Sequence, residues 1–326
     1  MFYGLCIALC LAVMFLVCAL AVLVSLPAFR LVRVALPAAS PRTQANFWFL
    51  FRLFPFILAA MVSLGLALPS FLEFEPPSTG EIMPWPLLAL AGLGAAVLAV
   101  IAVRIVQMLR ATRALTQRWL MRSHKLSMAG VSFPVYSVSD ASSLLAVTGI
   151  FRPQVFISRD VTEALTGEEL SAALAHELAH VRCFDNLKQV LLKSTQFPVS
   201  ALRAADAEWT NASEIAADET AVSRGASALE LSSALIKVGR LSGKMFSPQR
   251  LAASHLVPCG CGASTGMRAA HLRTLLEKDS SSAPLALEHS FAGGKIFAAL
   301  LFAMMYFACV ATLLPAVHEA LEFLVR

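Results

Sequence analysis

The sequence predicts a mainly α-helical, polytopic membrane protein, with four transmembrane helices and an α+β domain inserted between the third and the fourth. Three observations predict it: an apolar composition, four long uncharged runs, and the concentration of charge between the last two of them. Of 326 residues, 58% are apolar and 14% charged, and the mean hydropathy is +0.71. An ordinary soluble domain is ~45–50% apolar and ~25% charged, so a simple soluble or disordered chain is excluded. The net charge of +5 is too small to argue for nucleic acid when membrane flanks can use the excess. Seven cysteines, an odd number with Cys6, Cys10, Cys18 and Cys309 in strongly apolar stretches, do not spell a disulfide scaffold.

The first run, Met1 to Phe29, carries no charge, and ~20 apolar residues suffice to cross a bilayer. It starts Met-Phe-Tyr-Gly and turns basic only at Arg30 and Arg33, so it reads as an uncleaved anchor over about 5–26 rather than a signal peptide. The second and third runs predict spans at 53–72 and 82–103, and the fourth at 296–317. Arg30, Arg33 and Arg42 lie in the first link without an acid, whereas Glu73, Glu75 and Glu81 lie in the second without a base. Bases mark the cytoplasmic side. The amino terminus is therefore expected outside, residues 108–295 in the cytoplasm, and the tail 318–326 outside, as in a bacterial inner-membrane protein. Arg52, near the start of the second run, is expected to reach lipid headgroups, and Phe47, Trp48, Phe49, Phe51, Phe54 and Phe56 to form a lipid-facing or interfacial surface.

The basic stretch from Arg104 to Lys125 reads either as an extension of the third helix along the headgroups or as a solvated linker helix. Gln154-Val-Phe-Ile157, behind Pro153, reads as a strand, and a weaker alternation around Val131 to Val138 as a second strand at a sheet edge. Thr166-Gly-Glu-Glu169 is a capping-box pattern, so a helix is expected from there through Val181. Ser247 to Gly266, rich in Ser, Gly, Cys and Pro, reads as a loop or flap that includes Cys259 and Cys261.

Within the predicted helix stands His176-Glu-Leu-Ala-His180. Residues four apart share a helix face, so both imidazoles can reach one metal while Glu177 meets a metal-bound water. Zn2+ suits nitrogen ligands and an open position, and a catalytic shell has three protein ligands. The nearest downstream histidines are His255 and His271. Glu214, in Ser213-Glu-Ile-Ala-Ala-Asp-Glu219, is the better third ligand, with Asp218 one turn on to accept a histidine ring proton. A solvated acidic helix face is the alternative for that segment. Asp185 is expected to tie the helix end to Arg182 or to a neighbouring amino terminus. His255, His271 and Arg268 are candidate oxyanion stabilisers, and Gln154, Val155, Phe156 and Ile157 a candidate edge strand for an extended substrate.

His176 to Leu187, followed by Glu214-Ile-Ala-Ala-Asp218 and preceded by Gly149-Ile-Phe-Arg-Pro-Gln-Val-Phe-Ile157, resembles the BlaR/MecR family of membrane antirepressor metallopeptidases. More distantly it is similar to the HtpX and prenyl-protein endopeptidase family. The resemblance covers most of the chain and implies a gluzincin-like zinc metalloprotease domain. One zinc would lie on His176, His180 and Glu214, with Glu177 as general base and Asp185 and Asp218 in support. It departs from the family in two places. Only His318 to Arg326 follows the fourth run, so β-lactam sensing by an external penicillin-binding domain is not expected. His271 also stands where the family tends to be arginine-rich. The implied substrate is a cytoplasmic regulator such as a cognate repressor, which makes the protein part of signal transduction. Membrane-protein quality control and a non-catalytic membrane scaffold are the alternatives, and direct nucleic-acid binding is not expected.

Overall fold

The computed structural model describes residues 2–35, 39–76, 83–126, 133–139, 145–150, 152–197, 199–241, 253–255, 262–279 and 313–322. The chain packs as two units: Met1–Ala35 with Phe51–Ile101 and Ala286–Arg326, and Leu36–Leu50 with Ala102–Leu285.

The first unit draws on α1 (Phe2–Ala35), α2 (Pro41–Val62), α3 (Leu68–Phe74) and α4 (Trp85–Met121). Three helical stretches, Phe2–Val34, Pro41–Phe74 and Trp85–Met121, are long and apolar enough to cross a membrane. The first two expected spans fall within the first two of them, and the third, 82–103, is helical from Trp85 on. The basic stretch is not a separate helix, because α4 runs unbroken through Arg118. The expected fourth span lies outside the described residues over 296–312, and 313–322 is helical. Leu5, Leu9, Ala12 and Val13 pack with Phe71, Leu87 and Ala91. Close approach of α1 and α4 requires a glycine, since a Cβ on Gly94 would lie 2.3 Å from the Leu11 carbonyl oxygen. Between α2 and α3 the helix widens into a π turn over Ser63–Ala67, where the Ser63 hydroxyl donates to the Cys10 carbonyl at 2.7 Å. Arg52 is fully buried, so its guanidinium lies inside the protein rather than among headgroups. Its place near the start of the run suggested snorkelling, but neighbouring side chains decide which way it turns.

The second unit holds a five-stranded sheet of order β1-β2-β4-β3-β5, made of β1 (Ser123–Leu126), β2 (Val135–Val138), β3 (Leu145–Thr148), β4 (Gln154–Ser158) and β5 (Ala253–His255). Among the described residues only β2 and β4 pair in parallel. Two expectations are corrected here. β2 is not at an edge, because β1 covers it. The strand Gln154, Val155, Phe156, Ile157 is not an edge strand either: β4 is bonded to β2 on one side and β3 on the other, so its backbone has no free row for an extended substrate.

Alternation along β4 divides the core. Val155 and Ile157 face a cluster with Leu174, Leu231, Leu235 and Leu272, while Phe156 packs on Trp119 and Tyr136 from the other side. The helices are α5 (Arg159–Ala164), α6 (Gly167–Arg182), α7 (Asp185–Ser194), α8 (Ser200–Ser223), α9 (Ala228–Leu241) and α10 (Gly262–Asp279). The expected capping box opens α6: the Thr166 hydroxyl accepts from the Glu169 amide at 3.2 Å, and Glu169 accepts from the Thr166 amide at 2.8 Å. Asn186 donates to the carbonyls of Val147 and Gly149 and so fixes α7 to the end of β3. Cys259 and Cys261 lie outside the described residues.

Candidate metal centre

α6 carries His176 and His180 on one face, fully or nearly buried, with their Nε2 atoms 3.2 Å apart. α8 packs against α6 and presents Glu214 to the same point: Oε2 lies 3.5 Å from His176 Nε2 and Oε1 3.6 Å from His180 Nε2. Three candidate ligand atoms thus converge within 4.8 Å of one another. Bonds of ~2.0–2.1 Å to a tetrahedral zinc separate ligand atoms by ~3.3–3.4 Å, close to the 3.2 Å between the two Nε2 atoms and to the 3.5 and 3.6 Å from each of them to one oxygen of Glu214. The donor set, two imidazoles and a carboxylate, therefore fits a zinc-like ion in both chemistry and spacing.

The other ring nitrogens are tied down. His176 Nδ1 lies 2.8 Å from Asp218 Oδ1, and His180 Nδ1 lies 2.8 Å from Asp185 Oδ2. An N–H donated from Nδ1 to a carboxylate leaves the Nε2 lone pair directed at the point of convergence. Asp218 is one helical turn after Glu214, which explains how α8 reaches both ring nitrogens of His176. Asp185 reaches His180 by a different route. α6 ends at Arg182 and is capped by Cys183, Phe184 turns the chain in the left-handed region at φ 55°, and α7 starts at Asp185. The carboxylate thus comes back onto the ring five residues earlier. Its cationic partner is Lys188 at 3.2 Å, one turn along α7, and not Arg182, one of the two partners expected for it.

Arg268 of α10 is buried and grips Asp218 with two bonds of 2.8 and 2.9 Å, while its Nη1 lies 3.0 Å from Glu214 Oε2. The candidate oxyanion stabiliser thus directs its three nitrogens to carboxylates, Asp218 behind His176 and Glu214 at the point of convergence. His271 pairs with Glu219 at 3.2 Å. His255 falls on β5 at the sheet edge opposite Ala146. Glu177, beside His176 on α6, is fully buried.

Burial and Arg268 oppose a charge on His176, yet Asp218 and Glu214 outweigh them and hold its pKa up at about 9. His180 is raised too, against burial, by Glu214 and Asp185. Burial pushes Asp218, Glu214 and Asp185 up, but the neighbouring cations leave each below its ordinary value. Four carboxylates, Glu177, Glu214, Asp218 and Asp185, stand around two cations, Arg268 and Lys188. The carboxylates that favour protons on the two imidazoles would equally favour a divalent cation in place of those protons.

Sequence reasoning missed the roles of Lys188 and Arg268 as carboxylate holders. The i,i+3 spacing of Asp185 and Lys188 was a usable signal for the first. Nothing local marks the second, which acts across 50 residues.

A family model described as BlaR1 peptidase M56 matches residues 84–254, just over half of the chain. A protease HtpX homolog of Herminiimonas arsenicoxydans is 37% identical over 82 residues, 24% of this chain and 28% of that protein. The match thus spans little more than a quarter of that relative.

Proposed function

The chain belongs to the BlaR1 peptidase M56 family, and on that premise we propose that it is a membrane-bound, zinc-dependent endopeptidase that cuts a cytoplasmic regulator such as a transcriptional repressor. The observation that carries the reading is the convergence of His176 Nε2 and His180 Nε2, 3.2 Å apart, with the Glu214 carboxylate, whose Oε2 and Oε1 lie 3.5 and 3.6 Å from the two nitrogens in turn, beside the buried Glu177. His176, His180 and Glu214 would hold one zinc per chain. When bound, the ion supplies Lewis acidity: it polarises the scissile carbonyl and acidifies water.

The rest of the chemistry belongs to the side chains. Glu177 takes a proton from the attacking water and passes it to the leaving amine. Asp218 and Asp185 keep the two imidazoles in the tautomer whose Nε2 is free to ligate. Arg268 holds Glu214 and Asp218 in place and compensates their charge. The basic links of the sequence support an amino terminus outside, the peptidase domain in the cytoplasm and the carboxy terminus outside. Glu177 favours catalysis over a scaffold, because a purely structural zinc site has no use for a buried carboxylate next to its ligands.

Purification of the full chain in detergent, with metal analysis and digestion of a mixture of cytoplasmic and membrane proteins, tests the reading. The parent and Glu177→Gln should each hold about one zinc, and the variant should cut at least ~100-fold more slowly. Equal cleavage by both would remove Glu177 from its role. Preference for unfolded membrane proteins over folded regulators would shift the substrate to quality control.

A further inference from the structure

Asp185 has two oxygens with two different partners: Oδ2 meets His180 Nδ1 and Oδ1 meets Lys188 Nζ. Lys188 does not hang free behind it. Its ammonium lies 5.7 Å from the centre of the Phe49 ring and 3.5 Å from Asn46 Oδ1. Arg42 donates to Cys183 Sγ. Arg42, Asn46 and Phe49 are spaced four and three apart, one stripe on the first turns of α2. Cys183 and Lys188 bracket Asp185 in the chain, so this stripe grips both ends of the turn that carries the carboxylate. That turn needs a grip, because Phe184 sits in the left-handed region with a full side chain, 58% exposed, and such a conformation persists only where its surroundings over-determine it.

We propose that Lys188 is a positioning residue, through which the first turns of α2 hold Asp185 on His180 and so keep that imidazole in its ligating orientation. The ammonium is aimed from two sides. The Phe49 face and the Asn46 oxygen fix where it sits, and its bond to Oδ1 leaves Oδ2 turned to the ring. A carboxylate free to rotate would share its time between the imidazole and water, and the imidazole would lose the fixed tautomer that metal binding needs. Entry of the chain into α2 is thereby part of the site, although no residue of α2 ligates.

The inference rests on the proposed metal centre, so zinc affinity is the readout, measured by competition with a chromophoric chelator on the full chain in detergent, with turnover alongside. Lys188→Met, which keeps the stem and removes the charge, should bind zinc ~10-fold more weakly and lose kcat with KM little changed. Lys188→Arg, which keeps a cation over Phe49, should stay within about threefold of the parent. Phe49→Leu, with Lys188 intact, should weaken zinc about two- to fivefold. Failure of the parent to bind zinc would sink the metal centre itself. Zinc held by Lys188→Met within twofold of the parent would leave the centre standing and overturn the positioning role. Should Lys188→Met not fold, unchanged affinity in Phe49→Leu overturns it instead.

Discussion

The two histidines of the centre lie four residues apart on one helix, yet their supports are built differently. Behind His176, Asp218 is completely buried and gripped in two places by Arg268, whose third nitrogen reaches Glu214. Behind His180, Asp185 is held by one contact to Lys188, whose side chain keeps 16% of its surface. The first flank is closed and cross-braced by α8 and α10. The second is lighter and depends on a strained turn and on the start of α2. A planar guanidinium can fix a carboxylate in orientation, whereas an ammonium fixes it only in distance. The difference teaches where the site is rigid and where it can be adjusted.

The largest expected effect breaks the closed flank. Arg268→Ala leaves Asp218 and Glu214 buried without their cation, which should cost about 3–5 kcal/mol of stability by denaturant titration in detergent. Arg268→Lys should recover only part, because it cannot make the paired bonds to Asp218. A loss within ~1 kcal/mol for the alanine variant would mean that this flank is no more tightly built than the other.

Next comes the pair of carboxylates themselves. Asp218→Asn and Asp185→Asn should each weaken zinc binding, toward ~100-fold for Asp218 and toward ~10-fold for Asp185. Isothermal or chelator titration of the two variants side by side decides it, and the reverse order would invert the comparison.

What was legible beforehand follows the same division between local and distant. The capping box of Thr166 and Glu169 and the pair His176 and His180 all lie within one helix, where fixed periodicity turns spacing into geometry. Glu214 and Asp218 could be paired by the same rule within α8. Their meeting with α6 could only be inferred from residue type, and Arg268, 50 residues beyond Asp218, carried no signal for its partner. The left-handed turn at Phe184, which redirects Asp185, breaks the usual preference for glycine and so leaves no mark in the sequence. β4 was recognisable as a strand by its Val-Phe-Ile composition. Its central place depends on β1, Ser-His-Lys-Leu, which lacks the apolar alternation that would have announced it. Apolar runs of 20 residues marked the membrane helices well, because bilayer thickness sets a length that composition alone can meet. Which of their side chains turn inward, as Arg52 does, is decided by neighbouring helices.

The smallest expected effect concerns a support at the far end of the same helix, and it separates holding α6 from holding its histidines. Glu169 is buried and accepts bonds from the Thr166 amide at 2.8 Å, the Ser233 hydroxyl at 2.5 Å and Lys237 Nζ at 2.7 Å, tying α6 to α9. Burial pushes its pKa up, but Lys237, Ser233 and the Thr166 amide prevail and bring it from 4.5 down to about 2. A carboxylate more acidic in the folded than in the unfolded chain stabilises fully above the unfolded value, and the contribution fades as pH falls through the folded one. Glu169→Gln should therefore cost about 1–2 kcal/mol at pH 7. That gap should narrow as the pH is lowered from about 4.5 toward about 2. Zinc affinity at pH 7 should stay within about twofold of the parent, since Glu169 contacts neither imidazole nor any carboxylate of the two flanks. A gap that widens on acidification would reverse the sign assigned to Glu169. A zinc loss as large as that of Asp185→Asn would mean that α6 transmits strain along its whole length, and the two flanks would then not be separable supports.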